Sequence, residues 1–182
     1  RVKLGDAETR CVVIGDFIDR GPNSRGVLDR LFAESQSGSV VCLRGNHENM
    51  MLSALDNPAS HMLSWIRHGG EQTLNSYGIE LLSSASIQLD VNELQRLTWL
   101  RGLPAIWTSG NVAMVHAGAD PETPLQMQDE NNFIWGHDSF GTFSRTDGIW
   151  IVHGHTIVPR PTILNGVVSI DTGAYRTGRL TM

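Results

Sequence analysis

Four short apolar runs in this chain each stop on residues that can bind a cation, and no other feature constrains the fold as much. Cys11-Val12-Val13-Ile14 runs into Gly15-Asp16, with Asp19 three residues further on. Val40–Leu43 runs into Arg44-Gly45-Asn46-His47-Glu48. Val112–Val115 stops at His116, and Ile149–Val152 stops at His153-Gly154-His155. Apolar runs of this length, bounded by Gly, read as short buried strands. In open α/β sheets ligands gather beyond the carboxyl ends of strands. Four such ends rich in Asp, Asn and His therefore point to one shared site. Each ending alone has a plainer reading: Asp-x-x-Asp is as a rule a turn, His-Gly-His is more often structural, and Asn-His-Glu means little. Their co-occurrence at successive strand ends carries the inference.

Between these runs the pattern is helical. Ser24 is expected to cap a helix from Arg25 to about Ser35, with Val27, Leu28, Leu31 and Phe32 on one face. Strand, helix and strand in that order suggest a parallel βαβ unit. Glu48–Leu55 and His61–His68 read as helices broken at Asn57-Pro58. Gly69-Gly70 opens a further short helix through Tyr77, stopped by Gly78. Val91–Leu100 is amphipathic, with Leu94, Leu97 and Trp99 or Leu100 inward. After Pro104 the texture turns to strands. Ala105–Thr108 and Val112–His116 flank a hairpin signal at Ser109-Gly110-Asn111. Ile149–His153, Thr162–Leu164 and Val167–Asp171 follow, with Asn165-Gly166 as a tight turn. The expectation is one α/β domain over residues 1–182 with a mostly helical insertion at 48–101.

Composition narrows the function. The net charge of −5 argues against a nucleic-acid binder. No apolar run approaches the roughly 18 residues of a membrane span, and the opening residues do not read as a secretory signal. The acidic residues Asp120, Glu122, Asp129, Glu130 and Asp138, with no Lys or Arg between Arg101 and Arg145, read as a solvated acidic surface. Cys11 and Cys42 lie in apolar runs and are expected to be buried free thiols, which favours a reducing cytoplasm.

Carboxylate, amide oxygen and neutral imidazole suit Mn, Fe or Zn, and the lack of Cys near these positions argues against a structural zinc site. Asp16, with two carboxylate oxygens, can bridge two ions. Paired ions about 3.5–4 Å apart activate water against phosphate.

At this point the chain resembles the calcineurin-like metallophosphoesterases, and among them the phosphoprotein phosphatases. The motifs that carry the resemblance are Gly15-Asp16-Phe17-Ile18-Asp19-Arg20-Gly21, Arg44-Gly45-Asn46-His47-Glu48, Val115-His116-Ala117-Gly118 and Gly154-His155-Thr156, in that order. Trp65-Ile66-Arg67-His68-Gly69-Gly70, Ser76-Tyr77-Gly78 and Ile170-Asp171-Thr172-Gly173 look like the bacterial serine/threonine branch. The resemblance implies a two-sheet β-sandwich flanked by helices and two divalent ions, Mn2+ in the first instance, with Fe or Zn as alternatives. It implies that Asp16 bridges the ions and that Asn46, His116 and His155 complete the second ion's ligands. His47 would be the general acid, oriented by Asp19. Arg20 and Asn46 would hold the substrate phosphate, and Glu48 and His153 would support the ligands from behind. A metal-bridging hydroxide would attack phosphorus, with no covalent phosphoenzyme. The implied substrate is a phosphorylated protein or a small phosphoester.

Two departures matter. The family opens with Gly-Asp-x-His-Gly, whose Asp and His ligate the first metal. Here Gly5-Asp6-Ala7-Glu8 has no His and lies too close to the first strand. The chain is therefore expected to be a fragment lacking that N-terminal strand and helix, poorly active alone unless another pair such as His153 with Asp171 supplies ligands. Relatives also carry a second phosphate-binding Arg near Trp135, where this chain has His137. His137, Arg145 or Arg176 could take that role. The rival readings are a dinucleoside polyphosphate hydrolase and a non-catalytic phosphatase-like binding module. Glu48 and Asp19-Arg20-Gly21 favour the phosphatase.

Overall fold

The computed structural model describes residues 10–80 and 90–182. The Gly5–Glu8 stretch lies outside them. Among the described residues two sheets are present. In the first, β1 (Cys11–Val13) pairs in parallel with β2 (Val40–Cys42), joined by α1 (Ser24–Gln36), which is the expected βαβ unit. The second holds β3 (Ile106–Ser109), β4 (Val112–Val115), β5 (Trp150–His153), β6 (Thr162–Leu164) and β7 (Val167–Ser169), in the order β3-β4-β5-β7-β6. The pairs β3/β4 and β6/β7 are the two expected antiparallel hairpins; β4, β5 and β7 run parallel. Parallel strands send their carboxyl ends the same way, so His116 and His155 emerge on one edge.

The helical stretch contains α2 (Asn46–Asp56), α3 (Pro58–Trp65), a π-helical turn (Ile66–Gly70), α4 (Glu71–Ser76) and α5 (Val91–Arg101). Two shorter helices, α6 (Glu130–Trp135) and α7 (Ala174–Thr177), follow later in the chain. One core gathers Leu28, Met51, Leu52, Trp65, Leu74 and Leu100 around the helices. The other packs Phe133 and Ile134 of α6 on Ala113, Val115 and Ile151 of the larger sheet. No helix among the described residues is long and apolar enough to cross a membrane.

Several local expectations change. Cys11 is exposed while Cys42 is buried, because Cys42 packs into the core beside Leu28 and Met51 and Cys11 does not. Asn23, not Ser24, caps α1, its Oδ1 accepting from Gly26 N–H at 3.1 Å. Ser24 is buried and its hydroxyl is turned to Asp19. Helix α2 starts at Asn46 rather than Glu48, which puts Asn46 and His47 in its first turn. Leu94 is 50% exposed, whereas Leu100 is fully buried. The inward face of α5 is centred on Glu93, Arg96, Leu97 and Leu100, because Arg96 pairs with Asp29 and Glu93 with Arg25 across to α1. Leu94 lies about 100° around the helix from Glu93.

Candidate active site

Glu48 fastens the loop after β1 to the start of α2. It is fully buried, and its oxygens accept from the N–H groups of Asp16 (3.0 Å), Phe17 (2.8 Å) and Gly45 (2.9 Å). Burial first, then the charge of Asp16, pushes its carboxyl up to about 7. The loop itself is tightly coiled, with Asp16, Asp19 and Arg20 all at positive φ (58°, 72° and 62°).

Four side chains of the expected metal shell meet at one point. Asn46 Oδ1 lies 2.9 Å from His116 Nε2 and 3.1 Å from His155 Nδ1, and Asp16 Oδ1 lies 3.3 Å from His116 Nε2. His116 Nδ1 donates to the carbonyl of Ile14 at 2.8 Å. That bond assigns the Nε2 of a neutral imidazole as a lone pair, and Nε2 faces two oxygens that are themselves acceptors. Burial lowers the pKa of His116 against the opposing pull of Ile14 and Glu48, so the neutral form is favoured. Burial likewise lowers His155, assisted by the neighbouring His116. Acceptors aimed at acceptors fit a cation between them. The spacings also suit ligands around one ion with bonds of about 2.0–2.2 Å. Asp16 keeps 30% of its side chain accessible, yet loss of hydration on its other sides raises its carboxyl, only partly offset by His47, His155 and Arg20.

Beside this point lies a second cluster in which donors and acceptors match. His47 Nδ1 donates to Asp19 Oδ2 at 2.6 Å, and both side chains are almost wholly buried. Burial lowers the pKa of His47, but the Asp19 hydrogen bond and the charges of Asp16 and Asp19 outweigh it, and the net shift is upward. The other lone pairs of Asp19 accept from Trp65 Nε1 (3.0 Å to each oxygen) and from the hydroxyl of Thr73 (2.7 Å).

Both clusters open into a cleft of about 400 Å³ lined by Asp16, Arg20, Asn46, His47, His155 and Asp171, with His68, Trp135 and Tyr175 on its walls. Arg20 lies over the ring of Tyr175 at 4.7 Å and donates from Nε to the His68 carbonyl at 3.3 Å. His153 turns elsewhere: its Nε2 is 2.7 Å from Ser169 Oγ and its ring packs edge-on against Phe140. Arg145 is committed to the carbonyls of Asp120 and Thr123 and to Asp147, and His137 Nδ1 accepts from Ser139 N–H. His68, which the sequence offers only within the Trp65–Gly70 motif and with no role, lines the cleft. Trp65 stands in the same motif without an assigned role, and Thr73 and Tyr175 carry no local signal.

A family model described as calcineurin-like phosphoesterase matches residues 3–159. Serine/threonine-protein phosphatase 1 of Salmonella typhimurium is 30% identical over 177 residues, covering 94% of this chain and 76% of its own length. A bis(5'-nucleosyl)-tetraphosphatase, PrpE, of Bacillus velezensis is 31% identical over 193 residues, covering 96% and 74%. In fold, the chain is similar to a cold-active protein-tyrosine phosphatase of a psychrophilic Shewanella species, with TM-score 0.62, 20% identity and coverage of 97% and 64%. It is also similar to a serine/threonine phosphatase of Saccharomyces cerevisiae, with TM-score 0.61, 14% identity and coverage of 91% and 59%.

Proposed function

Because the chain belongs to the calcineurin-like phosphoesterase family, we propose that it is a metal-dependent hydrolase of phosphomonoesters, with phosphoserine and phosphothreonine of proteins as its substrates. The observation that supports this reading most is the opening of the acceptor cluster, the His47–Asp19 pair and Arg20 into one cleft. Asp16, Asn46, His116 and His155 would hold a divalent ion, and their donor types suit Mn, Fe or Zn; a second carboxylate oxygen lets Asp16 contribute to a second ion. When bound, these ions supply Lewis-acid polarisation of the phosphoryl group and acidify water. Arg20 grips phosphoryl oxygens through its guanidinium fork. His47 gives its proton to the departing alkoxide, and Asp19 keeps the ring turned to do so.

A second reading has its own support. A groove of about 360 Å³ opens off the cleft past Asn46, His68 and Trp135, over Asn49, Ser53 and Ser64, with no Asp, Glu, Lys or Arg in its lining. Trp135 is 46% exposed there. A hydrogen-bonding groove lined by Asn, Ser and His side chains with an exposed indole suits a nucleobase, as a dinucleoside polyphosphate would present. The two readings separate on product release with Mn2+ present. Phosphate from phosphoserine and phosphothreonine peptides is expected to appear faster than nucleotides from a bis(5'-nucleosyl) tetraphosphate. Cleavage of the tetraphosphate with no phosphate released from either peptide would overturn the first reading for the second.

A further inference from the structure

We infer that Trp65 and Thr73 are positioning residues that hold the Asp19 carboxylate in the one orientation that aims His47 at the leaving group; this rests on the assignment of His47 as the acid. The Asp19 side chain is fully inaccessible, so a lost partner cannot be replaced by bulk water. Its oxygens are held by His47 Nδ1, by Trp65 Nε1 and by the Thr73 hydroxyl. Thr73 acts twice, because Oγ1 also accepts from the Asp19 N–H at 2.9 Å, with Ser24 Oγ at 3.2 Å from the same N–H. Backbone and carboxylate of a left-handed residue are thus fixed by the same hydroxyl.

The segment carrying Trp65 is shaped for this. A Cβ on Gly70 would stand 2.5 Å from the Trp65 ring, so glycine is what lets the indole lie flat against the turn. Gly69, at φ 112°, interrupts the helix and turns its carbonyl to Arg20 N–H at 3.1 Å. Within nine residues (65–73), this segment therefore fixes Asp19 by its side chain and Arg20 by its backbone. A network serving packing alone would lose stability when one donor is removed but leave the preference between substrates unchanged. The positioning role would not.

Trp65→Phe keeps the ring and deletes the N–H. Thr73→Val deletes the hydroxyl, and Thr73→Ser restores it. In histidine-labelled protein, the His47 Nδ1 proton is expected at low field in the parent and moved upfield in Trp65→Phe. The ratio of kcat on a phosphoserine peptide to kcat on 4-nitrophenyl phosphate should fall about tenfold in Trp65→Phe and Thr73→Val, with KM unchanged and recovery in Thr73→Ser. An unmoved proton resonance, or equal losses on both substrates, overturns the inference. If Thr73→Val does not fold, Trp65→Phe and Thr73→Ser decide it. His47→Asn separates the two layers. Selective loss there without selective loss in Trp65→Phe sinks the positioning role alone. Unselective loss in His47→Asn sinks the acid assignment and this inference with it.

Discussion

Asp16 and Asp19 stand three residues apart on one loop, yet the polar groups around them follow opposite rules. Around Asp19, donors meet acceptors: imidazole, indole and hydroxyl all point their hydrogens at one carboxylate. Around Asp16, apart from the His47 N–H at 3.4 Å, acceptors meet acceptors, with Asn46 Oδ1, His116 Nε2 and Asp16 Oδ1 crowded together. The first arrangement is complete within the protein and is buried among helices. The second leaves acceptors facing one another, as a cation site would, and is open on one side. Building both on one loop sets the His47 imidazole beside the acceptor cluster without letting it join.

The largest expected effect comes from breaking the Asp16 side. His116→Ala, or Asp16→Asn, should lower kcat by at least about a thousandfold, which is about 4 kcal/mol, and abolish Mn2+ binding measured by calorimetry. Retained tight binding in His116→Ala would remove it from the ligand set. Next is the fastening between the two regions. Glu48→Ala leaves three buried N–H groups without an acceptor and should cost roughly 3 kcal/mol or more of stability in urea unfolding, while Glu48→Gln should cost less.

The Asp19 side should respond differently. His47→Asn is expected to slow phosphoserine peptides by about a hundredfold and 4-nitrophenyl phosphate much less, while Mn2+ affinity stays at the parent level. A matching loss of Mn2+ affinity would erase the distinction between the two sides. The smallest effect is at the mouth of the cleft. Tyr175→Ala frees Arg20 from the ring beneath it and should raise KM about two- to fivefold, whereas Tyr175→Phe should leave it unchanged.

The sequence disclosed the strand ends because each couples a short apolar run to Gly beside Asp, Asn or His, a local pattern. It disclosed less where the determining contact is distant. Trp65 and Thr73 reach Asp19 across 46 and 54 residues, and nothing within a window of neighbours signals that. Helix α2 looks late-starting in sequence because Gly45, its cap residue, has no side chain to announce it. Ser24 looked like a cap because its type is right for one, but the neighbouring Asn23 took the role and freed the hydroxyl for Asp19. The Gly-Gly pair looks like a helix start in sequence, whereas the chain passes through it as a widened turn joining α3 to α4. Proximity in sequence points to His137, Arg145 and Arg176 near the phosphate, whereas the π-helical turn brings the distant His68 to the cleft wall.

Five non-glycine residues among those described have positive φ, and four of them are Asp16, Asp19, Arg20 and His155. Each such conformation costs roughly 1 kcal/mol or more for a residue with a Cβ. A glycine at Asp16, Arg20 or His155 would relax the backbone but remove a side chain that lines the cleft; at Asp19 it would also strand the buried donors of His47, Trp65 and Thr73. Selection for heat tolerance alone therefore trades cleft-lining side chains for backbone relief at the first three. A library built on this scaffold should keep these four codons fixed and randomise elsewhere.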